Sequence, residues 1–416
     1  MVDRPNFSYM IRKNPSLLFF LCFSPLLIPG FSLCSFTENK QVEYAIQTLS
    51  VKPGAELTEQ YVPLLQGKRV GLVINQSSRI GNRYLIDSLF SLGIQISSIF
   101  APEHGWRGDQ DAGATINDSM DLRTGAVIKS LYGANKKPQS ADLEKLDVIV
   151  FDIQDVGARF YTFISTLFYV MEACAENQKP LIVLDRPNPN GYFVDGPVLE
   201  DSLRSFVGIA PIPIVHGCTI AELANMFKGE KWTNGADSLI LTLIRCGHYT
   251  HDTFYELPIK PSPNLPTVRS VLLYPSLCLF EGTTCSVGRG TDFPFEVVGH
   301  PDFQKNCFSF VPEPNPGNKS PLYSGVQCFG YDFRNLSIER IRRLKKIQLG
   351  ILLDFYKRFP DKDGFFGKSN FFDKLSGTGS LKHQIQLGWT ESQIRASWKP
   401  GLKKYLKIRK KYLLYD

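Results

Sequence analysis

No Cys-x-x-Cys, no His-x-x-x-His and no Gly-x-Ser-x-Gly occurs in this 416-residue chain. The first two absences remove common zinc-ligand spacings, so no metal is expected. The third removes the nucleophile elbow of a serine hydrolase. No strand-like run opens onto Gly-x-Gly-x-x-Gly, so the dinucleotide fingerprint is missing and no cofactor is expected. Ser286-Val287-Gly288-Arg289-Gly290-Thr291 resembles a phosphate loop only on the surface, because it lacks the Lys-Ser/Thr ending and Pro294 blocks a following helix. Charge of one sign is also scarce: 47 Lys+Arg against 40 Asp+Glu leave a net +7. The basic excess gathers between Trp398 and Asp416, where a solvated helix or strand edge accounts for it without a nucleic-acid partner.

Long hydrophobic runs are confined to the N-terminus. Arg4, Arg12 and Lys13 precede an apolar stretch over residues 17–28 that Pro25 interrupts, and small residues follow. This is the layout of a secretory signal peptide over residues 1–35, too short for a comfortable membrane span. Export to the periplasm is the expectation, with acylation of Cys34 as the lesser alternative. Seven of the nine cysteines lie beyond the leader; an odd set without motif spacing reads as buried free thiols.

The rest of the chain is ordinary for a globular protein, at 43% hydrophobic and 21% charged residues. Its length favours two domains, taken as residues 46–247 and 248–416. In the first, apolar runs at 69–74, 94–100, 147–152 and 180–184 alternate with helical spacing at 82–93 and from Phe160 to Met171. Continuous apolar strands separated by helices predict an α/β fold with a parallel, Rossmann-like sheet covered on both faces. From about residue 248 the chain becomes Pro- and Gly-punctuated and reads as a smaller α+β domain.

In such a sheet the loops at the C-terminal ends of the strands meet along one edge. That rule gathers Asn75, Glu103, His104, Asp152, Asp155, Arg159, Asp185 and Arg186. Glu103 is a structural partner of Arg107, a weak metal ligand beside His104, or a general acid or base made competent by Trp106 and the apolar strand end. Asp155 either caps a helix starting near Gly157 or takes part in chemistry. Arg159, placed in that helix's first turn, opposes the helix dipole and invites a ligand carboxylate. His216 repeats the layout of apolar strand followed by polar loop. Glu222 stands three residues after Thr219 in a capping box. Glycines around Arg289 allow close backbone approach to a ligand.

Ala101-Pro102-Glu103-His104-Gly105, residues 151–161, Leu184-Asp185-Arg186-Pro187-Asn188-Pro189, Pro261-Ser262-Pro263-Asn264 and residues 286–291 occur in this order, and Lys411-Tyr412-Leu413-Leu414-Tyr415 closes the chain. This set resembles the NamZ family of exo-β-N-acetylmuramidases, glycoside hydrolase family 171, from about Arg69 onward. The resemblance implies an active site in the cleft between the two domains. It implies release of N-acetylmuramic acid from the non-reducing end of peptidoglycan-derived glycans, with a non-catalytic binder of such fragments as the alternative. It assigns catalysis to Glu103; the reading of the residues themselves adds His104, Asp152 and Asp155 as catalytic candidates. Substrate binding is expected from Asn75, Arg159, Tyr161, Asp185, Arg186, His216, Glu222, Asn264, Glu281 and Arg289. Arg159, Arg186 and Arg289 are candidates for the lactyl carboxylate of muramic acid. Asp152, Asp155, Glu222 and Glu281 are candidates for the second catalytic carboxylate; a separation from Glu103 of roughly 5–5.5 Å would imply retention and roughly 6.5–9.5 Å inversion. Cys285 and His300-Pro301 depart from the family pattern near the expected cleft.

Overall fold

The computed structural model describes residues 50–103, 105–106 and 119–416. The leader at 1–35 and His104 lie outside these residues. Valine, isoleucine and leucine dominate Arg69–Ile74, Val148–Asp152 and Leu181–Leu184, and these form strands buried on both faces. β-branched and long aliphatic chains suit a pleated surface that is covered on each side.

Seven strands make the main sheet. Their spatial order is Leu241–Ile244, Leu181–Leu184, Val148–Asp152, Arg69–Ile74, Gln95–Ala101, Val127–Ser130 and Ser119–Met120. All neighbours are parallel except the last pair. The order in which the chain fills the sheet reverses at Arg69–Ile74, and ligands in open α/β sheets collect beside such a reversal. The helix Phe163–Glu176 covers one face, with Phe168 edge-on to Phe227 of the helix Ile220–Gly229, ring centroids 5.5 Å apart.

A second, antiparallel sheet pairs Val297–His300 and Phe308–Phe310 with the central strand Cys328–Asp332. Helices follow, ending in Glu391–Arg409, which carries the basic C-terminal run. One apolar cluster runs from Val73 and Phe151 under the main sheet through Phe280 and Phe355 to Trp398 and Tyr405. The seven described cysteines are free thiols, six of them buried. Among the described residues no helix is long and apolar enough to cross a membrane.

Two sequence expectations shift here. The helix expected from near Gly157 begins at Phe163, so Phe160 precedes it. Residues 158–159 instead extend a strand: Ala158 bridges Val215, and the Arg159 N–H bonds the Ile214 carbonyl at 2.8 Å. The apolar period continued upstream of the helix because Val156, Ala158 and Phe160 pack into the same core in extended form. Gly157 makes the corner at φ +80°, where an added Cβ would lie 2.3 Å from Asn188 Oδ1.

Candidate active site

Three loops at the C-terminal edge of the main sheet meet around a cavity of about 670 Å³. They supply Glu103 after Gln95–Ala101, Tyr132 and Lys136 after Val127–Ser130, and Phe160 to Phe163 after Val148–Asp152. The opposite wall comes from later in the chain: Asn264, Tyr274, Glu281, Arg289, Phe295 and Phe371. The volume suits a small ligand of one or two sugar rings, and pockets of this size usually combine apolar walls with a few polar groups.

Glu103 is half-buried, and the Thr162 hydroxyl donates to its Oε2 at 2.9 Å. Burial, the Glu103 charge and a hydrogen bond to that carboxylate push the Tyr132 phenol up to about 12. Tyr161 donates its hydroxyl to the Pro261 carbonyl at 2.7 Å, fixing the Pro-Ser-Pro-Asn segment against the aromatic floor. Burial, then the charges of Asp155 and Glu103, raise its phenol well above the ordinary value. Tyr161, Phe160 and Phe295 all meet Tyr274 edge-on, at centroid distances of 5.9, 5.3 and 4.9 Å. Phe295 holds φ +59°, a costly backbone for a bulky residue, and its N–H bonds the Val287 carbonyl at 2.8 Å.

On the far wall, Arg289 Nε donates to Glu281 Oε1 at 2.5 Å, and the Cys278 thiol donates to Oε2 at 3.4 Å. Burial pulls Arg289 down, but the Glu281 charge and hydrogen bond outweigh it and hold the guanidinium above its usual value. The Asn264 amide donates to the Gly317 carbonyl at 2.9 Å.

Of the expected residues that are described, Glu103, Tyr161, Asn264, Glu281 and Arg289 line this cavity, and the others do not. Asp152 and Arg186 form a bidentate ion pair at 2.6 and 2.8 Å, nearly without solvent contact. Burial pushes the Asp152 carboxyl up, against the pull of that guanidinium. Arg159 spends its two terminal nitrogens on the carbonyls of Pro197, Ile212 and Leu375, at 2.8–2.9 Å. Burial without a carboxylate lowers it to about 9. Neither arginine is placed to read a substrate carboxylate in the cavity.

Asp155 accepts the Gly157 N–H at 2.7 Å and faces His216 Nε2 at 3.4 Å, while His216 Nδ1 accepts the Cys218 N–H. Asp155 therefore orders a turn before the helix and does not cap it. Asn75 accepts both the N–H and the hydroxyl of Ser77, tying one strand end to the next through the Ser77 bond to Gln154 N. Asp185 receives the Tyr415 hydroxyl at 2.6 Å and the N–H groups of Arg186 and Ala221, both at 3.0 Å. Glu222 closes the capping box with Thr219 and also holds His251 and the Leu414 N–H. Cys285 and His300, expected near the cleft, are buried away from the lining.

Thr162, Tyr132 and Lys136 escaped the sequence reading. Val127–Ser130 mixes polar and apolar residues, being near the sheet edge, and gives no strong strand signal. A usable signal was the Ser130-Leu131-Tyr132-Gly133 turn, which ends that strand on the same edge as Glu103.

A family model described as the N-terminal part of the exo-β-N-acetylmuramidase NamZ matches residues 70–269, and its C-terminal counterpart matches residues 272–415. The chain belongs to the NamZ family. A NamZ relative from Bacillus subtilis (strain 168), named peptidoglycan β-N-acetylmuramidase, is 38% identical over 377 residues, which is 86% of this chain and 90% of that protein. Two solved structures of DUF1343 family proteins from Bacteroides fragilis NCTC 9343 are similar throughout. One is 43% identical with a TM-score of 0.82, and the other 28% identical with a TM-score of 0.74. Each alignment covers 88% of this chain and 99% of the solved chain. The NamZ match extends over both walls of the cavity, so Glu103 and Arg289 fall within matched residues.

Proposed function

We propose that this protein is an exo-acting glycosidase that removes N-acetylmuramic acid from the non-reducing end of peptidoglycan fragments. Glu103 does the acid-base work on the glycosidic oxygen. The observation that carries this reading is the position of Glu103: a half-buried carboxylate on the wall of an aromatic-floored cavity, braced by the Thr162 hydroxyl. Sugar rings present apolar C–H faces and polar rims, which suits a Phe/Tyr floor beside a few hydrogen-bonding groups. A positioned carboxyl group protonates the leaving oxygen as the bond breaks.

Of the four carboxylates considered as a partner, Glu281 shares the cavity lining with Glu103, so it takes the second position. Arg289 and the Cys278 thiol hold its two oxygens, which fixes the orientation of this second carboxylate. The site draws residues from both proposed domains, 46–247 and 248–416. Export by the leader at 1–35, with action in the periplasm, places the Rossmann-like enzyme beside its polymer.

The decisive measurement is NMR of the sugar released from a synthetic β-N-acetylmuramic acid glycoside by wild-type protein and by Glu103→Gln. Wild type is expected to release the sugar, and the variant to lose about 10²–10⁴-fold in kcat, the scale of a general acid-base group. Near-wild-type turnover by the variant would remove Glu103 from this role, and no turnover by wild type would remove the activity itself.

A further inference from the structure

We propose that Lys136 is the residue that reads the carboxylate of the substrate's lactyl group, and so sets the preference for a muramic over a plain glucosamine sugar. The inference rests on the glycosidase reading above and deepens it. N-acetylmuramic acid differs from N-acetylglucosamine by one ether-linked group ending in a carboxylate. A site that distinguishes them needs a cation facing the cavity whose charge is not already taken.

Among the described residues, the cations that line the cavity or were expected to read an anion divide cleanly. Arg159 and Arg186 are sealed behind the floor on backbone carbonyls and on Asp152. Arg289 reaches the cavity but is held at 2.5 Å by Glu281. Lys136 lines the cavity and, among the described residues, has no carboxylate partner. Its ammonium sits 4.7 Å from the centroid of the Phe206 ring, another lining residue.

The neighbouring structure explains why Lys136 points there. Lys137, next in the chain, turns the other way and binds Glu176 at 2.7 Å and Glu172 at 3.6 Å on the helix Phe163–Glu176. That anchor fixes the backbone and leaves Lys136 on the cavity side. Phe206 is itself held, stacked on Tyr169 with centroids 6.3 Å apart and edge-on to Tyr132 at 6.3 Å. A ring face attracts an ammonium without neutralising it, so the charge is positioned yet available to an anion. Tyr132 lines the cavity together with Glu103 and Lys136, which puts the anion-reading group and the acid-base group on one stretch of wall.

The test compares two glycosides of one shape: N-acetylmuramic acid and its lactyl carboxamide, each carrying the same reporter leaving group. Wild type should favour the acid in kcat/KM by about 10- to 100-fold, the range of one charge-assisted hydrogen bond. Lys136→Met should collapse that ratio toward one, mainly through KM, and Lys136→Arg should restore much of it. A variant that slows both glycosides equally would place Lys136 in support of Glu103, and an unchanged ratio would leave it without a part; either result overturns the inference. If wild type turns over neither glycoside, the glycosidase reading fails separately. Calorimetric binding of free N-acetylmuramic acid and its lactyl carboxamide to wild type and Lys136→Met then decides: a preference for the acid lost in the variant supports the inference, and equal or absent binding overturns it.

Discussion

Asp185 shows how a single residue at the catalytic edge can serve the fold. Burial pushes its carboxyl up to about 7, against the bonds from Tyr415 and Ala221. The folded protein therefore holds a proton that the unfolded chain releases near its ordinary value. Below about pH 4 both states are protonated and no penalty arises. Between about pH 4 and 7 stability falls as pH rises, by at most about 1.4 kcal/mol per pH unit from this one group. In Asp185→Asn that component disappears. Denaturant unfolding at pH 4, 5.5 and 7 should show wild type losing stability relative to the variant on going up in pH; parallel curves would contradict the assignment. Arg159 illustrates the opposite case, a buried cation whose terminal nitrogens are held by carbonyls alone while its Nε goes unpartnered. Its replacement by methionine should leave three carbonyls unpaired and cost several kcal/mol, at about 1–3 kcal/mol per orphaned group, without altering substrate preference.

At the level of elements, the segment from Asp152 to Phe163 carries the site. The sequence singled out Tyr161, which lines the cavity, but it missed Thr162 and did not show the segment's shape. Val156, Ala158 and Phe160 carry an apolar rhythm that the downstream helix continues, and periodicity alone cannot say where extended chain gives way to helix. Gly157 held the missing information, since its φ of +80° and its closeness to the Asn188 side chain break the helix there. Gly157→Ala is expected to cost roughly 2–4 kcal/mol from left-handed backbone strain and a displaced buried amide. Thermal melts would register this, and a change under about 0.5 kcal/mol, the usual size for a surface substitution, would mean that the corner relaxes freely. The capping box at Thr219 and Glu222 was legible because it depends on a fixed local spacing. What spacing could not show is that Glu222 also grips His251 and Leu414.

For the whole molecule, continuous apolar strands predicted the parallel sheet and the edge on which its loops gather. They did not tell which side chains on that edge face the cavity. Asn75, Asp152, Asp155, Asp185 and Arg186 stand at the right ends of the right strands, yet each turns toward a neighbouring strand or loop. Five of the thirteen expected residues that are described reach the cavity lining. The reason is physical: the crowded C-terminal edge of a doubly covered sheet exposes many backbone groups that need partners, and polar side chains are consumed in meeting them. The residues left facing outward are set by tertiary packing, which a linear pattern does not encode.

The Tyr415 hydroxyl meets Asp185 across 230 residues of chain, with the Leu414 N–H on Glu222 beside it. This contact fixes an order in time as well as in space. The strand ending at Leu184 emerges early in synthesis, but Asp185 just after it lacks its phenol partner until Tyr415 has been made. A nascent chain must therefore wait with an open sheet edge, slow to close because the contact is so distant in sequence. Removing residues 414–416 would freeze the molecule in that unfinished state. Such a truncation should aggregate or unfold several degrees early in a thermal scan, and one that melts like the full chain would show that the final residues are dispensable.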